Sequence, residues 1–279
     1  MTRRERPRQV GYYPGCMGLD CARELDESVR AVLEALDTEP VELADWTCCG
    51  GLVVDEAVAR GLTRRVLDRA QEKTILCACP VCARRMRAVN PGRAVRSVVG
   101  LLTEPYYLQL LEERAEEDLE GLKAACYYGP GAGQSESAGL EQLVRACGAE
   151  VVKWPGRRKP HGGLTAFTDP ALMQKLCSGI LVDAIEAGAD FMVLSDPHAQ
   201  FNLDCFQYPI GRELGRAVQM PVLFCSELVA HALGLEAAEA CYRRHVTSPL
   251  GLFLDYYDRR EVAHAPKPLS PGHAMTGEK

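Results

Sequence analysis

Five cysteines within the first 82 residues have spacings that could place their thiols around one metal centre. They are Cys16, the adjacent pair Cys48 and Cys49, and the pair in Cys79-Pro-Val-Cys82. Neighbouring side chains of an extended chain point to opposite sides, so Cys48 and Cys49 cannot easily grip one small ion together. A centre with several metal atoms suits them better, because each sulfur can reach a different atom. The pattern therefore favours a multinuclear iron–sulfur site, since cysteine thiolates hold such clusters.

Three other interpretations of these thiols remain open from the residues alone. A structural zinc ion takes four ligands, commonly from two CxxC-like pairs, whereas this chain offers one such pair, an adjacent pair and a fifth thiol. A redox-active dithiol could cycle as a disulfide within Cys48-Cys49 or between Cys79 and Cys82. Plain packing is the third alternative, because free cysteine is common in protein cores. Four later cysteines in apolar contexts are predicted to be core residues: Cys147, Cys177, Cys225 and Cys241.

The composition limits the classes of protein to which the chain can belong. Its 279 residues suit two ordinary domains, and 47% hydrophobic with 25% charged residues is typical of soluble globular proteins. Thirteen cysteines cannot all pair within the chain, and cysteine clusters in a reducing compartment are more often metal ligands or redox groups. A net charge of −6 argues against nucleic acid as the main partner. Because the sequence has neither a membrane-length apolar run nor a signal-peptide core, we expect a cytoplasmic protein without direct membrane insertion.

Short apolar runs alternate with helical patterns along the chain, which predicts βα units and a parallel sheet. The segment "QVGYYPGC" has the pattern of a strand entering a loop, and residues 22–36 carry apolar side chains at helical spacing. Strands are also predicted at "PVEL" and "KTILCACP". Each of the five cysteines then falls in a strand-to-helix loop. Because the carboxyl ends of parallel strands meet at one edge of a sheet, this fold would gather the thiols there.

The second half of the chain repeats the pattern of the first. The segment "KAACYYGPGAG" resembles "QVGYYPGCMGL", "KPHGG" stands where "TCCGG" stood, and "ADFMVLSDPHAQ" matches "KTILCACPVCAR". Offsets this steady predict an internal duplication, and hence an α/β protein of two duplicated Rossmann-like halves with parallel sheets. The offsets are 110 from Cys16 to Cys126, 112 from Cys48 to Pro160 and 117 from Cys79 to Asp196.

This alignment divides the chain into four parts. They are an N-terminal domain with the complete cysteine motif at 1–100, a linking helix at 101–122, a C-terminal domain at 123–262, and a tail at 263–279. Proline, glycine and polar residues dominate the last part, which predicts disorder there.

The second copy of the motif keeps its glycines and loses most of its thiols. Cys126, His161, Asp196 and His198 could form a vestigial pocket for a metal, a substrate arm or a partner surface, since histidine and cysteine suit zinc or iron. The alternative is that they are ordinary polar loop residues. In this alignment Cys126 keeps the first position, Pro160 and His161 replace the adjacent pair, and Asp196 and Ala199 replace the CxxC pair.

Two basic segments lie beside these motifs. Arg84 and Arg85 follow the CxxC pair, and Arg157 and Arg158 precede the degenerate loop. Guanidinium pairs well with carboxylate and phosphate, so these segments could bind an anionic substrate or an acidic partner. A solvated helix face is the alternative. No P-loop or dinucleotide fingerprint is visible in the sequence, so a flavin would be carried by a partner.

The whole cysteine pattern resembles one known family. A cysteine, 31 residues, an adjacent cysteine pair followed by glycine, 29 residues from that glycine onward, and Cys-Pro-x-Cys form a pattern that, with the segments "YYPGC", "WTCCGG" and "FNLD", is similar to the CCG domain. That domain is known from the B subunit of heterodisulfide reductase and from relatives in sulfur, lactate, glycolate and succinate or fumarate metabolism. In the family, each complete motif is thought to hold a noncubane 4Fe-4S cluster through its five cysteines. The resemblance implies one such cluster in the N-terminal half, on Cys16, Cys48, Cys49, Cys79 and Cys82, and none in the C-terminal half.

The function implied by the resemblance is that of an iron–sulfur redox subunit in a heterodisulfide-reductase-like complex. It would carry out or support disulfide reduction, or thiol or sulfur oxidation. Its expected partners are a ferredoxin-like iron–sulfur subunit of the C type, a flavin subunit of the A type, and a second B-like subunit. The alternatives are a subunit of a related succinate/fumarate- or lactate/glycolate-type oxidoreductase, or a non-catalytic assembly subunit with a structural cluster. No residue is assigned a catalytic role from the sequence.

Overall fold

The computed structural model describes residues 7–264, which form two four-stranded sheets in which all pairings are parallel. The first sheet has the order β2-β1-β3-β4, and the second repeats it as β6-β5-β7-β8. The predicted α/β architecture of two duplicated, parallel halves is therefore confirmed. The strands are β1 (Arg8–Tyr13), β2 (Thr38–Glu42), β3 (Thr74–Cys77), β4 (Ala94–Ser97), β5 (Lys123–Cys126), β6 (Glu150–Val151), β7 (Phe191–Leu194) and β8 (Val222–Phe224).

Helices connect and cover the strands in both halves. Those of the first half and the link are α1 (Gly15–Gly18), α2 (Arg23–Ala35), α3 (Glu56–Arg69), α4 (Pro80–Val89), α5 (Val98–Leu102) and α6 (Pro105–Arg114). Those of the second half are α7 (Gln134–Ala146), α8 (Thr165–Thr168), α9 (Pro170–Glu186), α10 (Pro197–Cys205), α11 (Gln207–Leu214), α12 (Cys225–Ala232), α13 (Glu236–Tyr242) and α14 (Leu250–His264).

Local sequence signals explain where several helices begin. The Asp55 carboxylate accepts hydrogen bonds from the backbone N–H groups of Ala57 and Val58, which caps the start of α3. Pro80 and Pro197 occupy the first turns of α4 and α10, where their lack of an N–H group costs no helical hydrogen bond. The helix predicted at residues 22–36 is α2, and it faces the core with a buried apolar stripe: Leu25, Val29, Val32 and Leu33.

The link between the halves differs from the single helix predicted at 101–122. Glu104 is extended before Pro105, because a residue preceding proline avoids the helical conformation, so α5 and α6 are separate. After α6 the backbone N–H of Glu116 donates to the carbonyl of Ala232 in the second half, at 2.8 Å. The chain leaves the helix there to make this contact.

Two further differences concern the ends of the halves. Strand β4 was not predicted from the sequence, because the segment lacks a clear apolar run. In the structure, only Val95 and Ser97 of its four residues are buried. Helix α14 extends to His264, into the tail predicted at 263–279, and the rest of that tail lies outside the described residues. Among residues 7–264, no helix is both long and apolar enough to cross a membrane.

The two halves contact each other through two equivalent pairs of helices. Helix α2 of the first half packs on α12 of the second, and its counterpart α7 packs on α5 of the first. At the first contact the hydroxyl oxygens of Ser28 and Ser226 lie 2.7 Å apart in the core. At the second, Gly139 allows close approach, since a Cβ atom there would lie 2.9 Å from Val99 Cγ1. These two helix contacts join both halves through one hydrophobic core.

We expect the Gly50→Ala variant to lose about 2–4 kcal/mol of unfolding free energy, measured by denaturant unfolding. Gly50 has a φ of +75°, and an added Cβ would lie 2.8 Å from the backbone of Ala59. The control is Gly61→Ala in α3, where an added Cβ meets nothing within 4 Å. Because glycine weakens a helix interior, the control should be neutral or gain about 0.5–1 kcal/mol. Equal effects of the two substitutions would contradict the strain assigned to Gly50.

Candidate metal centre

Three neighbouring strands of the first sheet deliver the five predicted thiols to one edge. Cys16 lies in α1, directly after β1, and Cys48 and Cys49 lie in the loop that follows β2. Cys79 precedes the first residue of α4, and Cys82 lies on its first turn, after β3. Since β1 pairs with both β2 and β3 in parallel, their carboxyl ends and the following loops are adjacent.

The thiols contact one another at this edge. The sulfur atoms of Cys49 and Cys82 are 3.1 Å apart. Cys79 hydrogen-bonds with Cys82, and Cys16 hydrogen-bonds with Cys48. Cys16 also interacts electrostatically with Cys49 and Cys79. The structure therefore brings all five predicted thiols together.

The two adjacent cysteines face different neighbours. Cys48 is exposed and meets Cys16, whereas Cys49 is buried and meets Cys82. The positive φ of Gly50 turns the chain here, and its N–H lies 3.4 Å from the sulfur of Cys48. The next N–H, of Gly51, lies 3.3 Å from the sulfur of Cys49. The N–H of Gly51 contributes to lowering the pKa of Cys49 and so favours its thiolate form, which binds metals.

Two hydroxyl groups fix the ends of this loop. Tyr13, fully buried, donates a hydrogen bond from its hydroxyl to the carbonyl oxygen of Thr47 at 2.7 Å. The hydroxyl of Thr63 in α3 donates to the carbonyl oxygen of Cys49 at 2.6 Å. The backbone on both sides of the adjacent thiols is thus held by groups that do not themselves bind metal.

Hydrogen bonds among the thiols and burial shift their pKa values in different directions. A hydrogen bond with Cys82 lowers the pKa of Cys79 to about 6, against the opposing effect of burial, and His198 adds to the lowering. A hydrogen bond with Cys82 also lowers the pKa of Cys49. On the exposed side, partial burial raises the pKa of Cys16 to about 11. The same hydrogen bonds, with Cys49 and Cys79, raise the pKa of the buried Cys82. A donor set of five sulfur atoms suits iron–sulfur chemistry and is unsuited to magnesium or calcium.

The second half repeats the scaffold of this loop without its thiols. Tyr127 donates its hydroxyl hydrogen bond to the carbonyl of Lys159 at 2.6 Å, as Tyr13 does to Thr47. The glycine two residues after each tyrosine has a positive φ, as does the first glycine of each "GG" pair. Tyr127 is therefore the counterpart of Tyr13, and Pro130 stands at the position of Cys16.

The alignment of Cys126 with Cys16 was therefore wrong. Cys126 is the last residue of β5, pairs in register with Val193, and corresponds to Tyr12. It is buried in the main core, where burial raises the pKa of its thiol to about 12. The strand register gives an offset of 114, whereas aligning Cys16 with Cys126 gives 110 and aligning the two "YY" dipeptides gives 115, so the sequence alone did not fix it.

The other residues of the predicted vestigial pocket do not gather around Cys126. The ring nitrogen Nδ1 of His161 lies 3.4 Å from the backbone N–H of Gly163 and from the side-chain amide of Asn202. Asp196 and His198 instead turn toward the first half. Their possible ligand atoms and the sulfur of Cys79 all lie within 4.8 Å of one another.

Sequence reasoning missed this contact because it assigned Asp196 and His198 to a pocket of their own half. The signal was present in the offset that aligns Asp196 with Cys79, since a duplicated protein can pack equivalent loops against each other. Burial alone would lower the pKa of His198, but interactions with Asp196 and Cys79 raise it to about 10. His198 therefore belongs to the surroundings of the five thiols.

The predicted anion-binding arginines mostly have internal partners. Arg85 forms an ion pair with Glu56 at 2.8 Å. Arg158 donates to the carbonyl of Ala132 and to the hydroxyl of Ser137, and Arg157 donates to a backbone carbonyl. Arg84 lines a small cleft between the halves. An anion site at these residues stays a prediction. The cysteines expected in the core are buried there: Cys147, Cys177, Cys225 and Cys241.

Comparison with known proteins finds that most of the chain is similar to components of two reductases. It is 24% identical over 270 residues to the 8-methylmenaquinol:fumarate reductase membrane anchor subunit of Wolinella succinogenes, with 83% of this chain and 94% of that protein covered. It is 22% identical over 271 residues to the B subunit of the ferredoxin:CoB-CoM heterodisulfide reductase of Methanosarcina mazei, with 81% and 89% covered. Both relatives are parts of oxidoreductases.

A solved structure shares the fold, and a family model matches the part that carries the thiols. A hypothetical protein from Helicobacter pylori superposes with a TM-score of 0.67 at 12% identity, over 88% of this chain and 53% of that one. This chain thus spans about half the length of that protein, and the likeness concerns the fold alone. The model of the cysteine-rich domain called CCG matches residues 10–87. The resemblance inferred from the cysteine pattern is confirmed, since residues 10–87 match the CCG cysteine-rich domain.

Proposed function

We propose that the chain holds one iron–sulfur cluster, a noncubane 4Fe-4S cluster, in its N-terminal half. Its ligands would be Cys16, Cys48, Cys49, Cys79 and Cys82. The observation that carries this proposal is the convergence of these five thiols from three loops onto one sheet edge. Five sulfur donors exceed the four that a zinc ion takes, and the opposed directions of Cys48 and Cys49 suit a body with several iron atoms.

The exposure of the thiols supports a redox role rather than a purely structural one. Cys49, Cys79 and Cys82 are buried and would anchor the cluster, whereas Cys16 and Cys48 are exposed. A bound cluster of this kind exchanges single electrons. The exposed side gives a substrate sulfur or a partner protein access to it, and the apolar side chains of Leu19 and Leu52 near these two cysteines would favour such contact.

The reaction we propose is disulfide reduction or its reverse, thiol or sulfur oxidation, within a heterodisulfide-reductase-like complex. Cleaving a disulfide to two thiols takes two electrons and two protons, while one cluster supplies one electron at a time. The second half offers no replacement ligand set, because its corresponding positions hold Pro130, Pro160, His161, Asp196 and Ala199. The proposal therefore includes redox partners: a ferredoxin-like iron–sulfur subunit, a flavin subunit, and a second B-like subunit.

A second candidate is supported by the similarity to the fumarate reductase subunit, which is 24% identical to this chain and covered over 94% of its length. In this case the same cluster would pass electrons between a quinol and a fumarate-reducing partner. The five ligands and the exposed side of the site would be unchanged. The two candidates differ only in the electron donor and acceptor.

The cluster is tested by metal analysis of the anaerobically purified protein. We expect about four iron and four sulfide per chain, together with a paramagnetic signal in one redox state. Cys49→Ser and Cys16→Ser should lose most of the iron, because each removes one ligand. Cys21→Ser is the matched control, since Cys21 is also exposed and lies five residues beyond Cys16 but is not among the five thiols. Zinc without iron in the wild-type chain would refute the proposal.

The hydrogen bonds that the two equivalent tyrosines donate to their loops are tested with a matched pair of variants. Tyr13→Phe and Tyr127→Phe each remove one hydroxyl-to-carbonyl hydrogen bond, at 2.7 and 2.6 Å, and should each cost about 1 kcal/mol of stability. Only Tyr13→Phe loosens the loop of Cys48 and Cys49. We expect it to release iron to a chelator about fivefold faster than wild type, while Tyr127→Phe releases iron at the wild-type rate. Equal release from both variants would contradict the assigned positioning of this loop.

The two candidate reactions are separated by reoxidation of the reduced chain. We expect an alkyl disulfide to reoxidise the cluster, with two chains consumed per disulfide because each cluster gives one electron. Reoxidation by a soluble menaquinone analogue, with no response to the disulfide, would favour the fumarate reductase type. A cluster that responds to neither oxidant would instead indicate the non-catalytic assembly role. Rapid-mixing absorbance spectroscopy provides the measurement.

A further inference from the structure

The loops that carry Cys79 and Asp196 are equivalent in the two halves and face each other. Cys79 immediately precedes α4, and Asp196 immediately precedes α10. A sulfur of the first half and the side chains of Asp196 and His198 of the second offer ligand atoms within 4.8 Å of one another. The second half, which lacks most of the thiols, thus contacts the five-thiol centre of the first half at Cys79.

Asp196 holds the ring of His198 in place. Its Oδ1 accepts the backbone N–H of His198 at 3.0 Å and lies 3.3 Å from the ring atom Nδ1. Because a carboxylate only accepts hydrogen bonds, Nδ1 is the donor in this pair. The side chain of His198 is 11% exposed, so the ring has little freedom to turn away.

The second ring nitrogen of His198 is left without a partner in the described part of the chain. Nε2 is buried, and among the residues described by the structure it has no hydrogen-bond partner. The thiol of Cys79 lies nearby, since its sulfur and the ligand atoms of Asp196 and His198 are all within 4.8 Å of one another. A metal-bound thiolate carries no proton, so Nε2 would donate to it. An Asp–His pair that aligns a ligand in this way is a common feature of metal centres.

Helix capping alone does not account for this arrangement. Asp196 caps α10 through the backbone N–H of His198, a task that serine or asparagine would also perform. Capping does not require a histidine ring at the second position after the cap, with a buried nitrogen, unpartnered among the described residues, beside a thiol of the other half. His161 and Tyr127 also lie beside Asp196 and His198, but His161 is engaged with Asn202.

We propose that Asp196 and His198 are positioning residues for the cluster of the opposite half, with His198 Nε2 donating a hydrogen bond to the sulfur of Cys79. This inference rests on the proposed function. Hydrogen bonds to the sulfur atoms of a cluster are among the factors that set its reduction potential. A donor at this sulfur stabilises the more negative, reduced state, so the second half would raise the potential of a cluster that it does not bind.

The test is a redox titration of the full-length, cluster-loaded chain, followed by paramagnetic resonance. At the wild-type midpoint potential, we expect the ratio of reduced to oxidised cluster to fall about tenfold in His198→Leu, which corresponds to about 59 mV for a one-electron couple. His198→Gln keeps an N–H donor and should recover most of the wild-type ratio. A merely structural role of the histidine would not produce this order of variants.

A matched pair of helix caps tests the part of Asp196. Asp196→Asn keeps the cap but weakens the hold on the ring, and it should shift the ratio in the same direction as His198→Leu, by less. Asp169→Asn is the control, because Asp169 caps α9 through the backbone N–H of Leu172 at 3.0 Å. We expect this control to titrate as wild type.

The outcomes separate this inference from the proposed function. Absence of iron from the wild-type chain would refute the proposed function and this inference with it. An iron-loaded wild type whose potential and resonance signal are unchanged in His198→Leu would overturn the inference and leave the cluster in place. If His198→Leu does not fold, Asp196→Asn decides: a shift supports the hydrogen bond, and a titration identical to that of Asp169→Asn overturns it.

Discussion

The reciprocal packing of helices between the halves is the constraint on which the rest of the structure depends. Helix α2 packs on α12, and α7 packs on α5, so each half completes its core with a helix of the other. Because the halves are built alike, this packing also places equivalent strand-to-helix loops next to each other. The loop of Cys79 therefore meets the loop of Asp196, and a thiol centre assembled by one half acquires neighbours from both.

A buried polar network supports this arrangement. His245 lies between Glu227, at 2.8 Å, and Asp204, at 3.8 Å, and all three side chains are almost fully buried. Burial opposes the charged form of His245, but Glu227 and Asp204 raise its pKa to about 9, so its positive charge partly offsets theirs. Asp204 also accepts the backbone N–H groups of Val246 and Thr247. The aspartate of the "FNLD" segment thus serves the packing of the second half rather than the thiols.

The second half shows which features of the loop are independent of metal binding. The first glycine of each "GG" pair, Gly50 and Gly162, has a positive φ, and Tyr13 and Tyr127 donate to equivalent carbonyls. These features depend on backbone geometry and buried hydroxyl groups, which do not need sulfur. The fold can therefore be retained after the thiols are replaced, and Asp196, which replaces one of them, becomes available to the neighbouring centre.

The sequence by itself determined the α/β class, the duplication and the gathering of the five thiols at a sheet edge, because these follow from local periodicity and from the geometry of parallel strands. Tertiary structure decided what local patterns could not encode. Strand register placed Cys126 in the core and Pro130 at the position of Cys16. The proximity of His198 to Cys79 depends on how two complete halves pack. Such a contact joins residues far apart in the chain, so the local sequence pattern does not predict it.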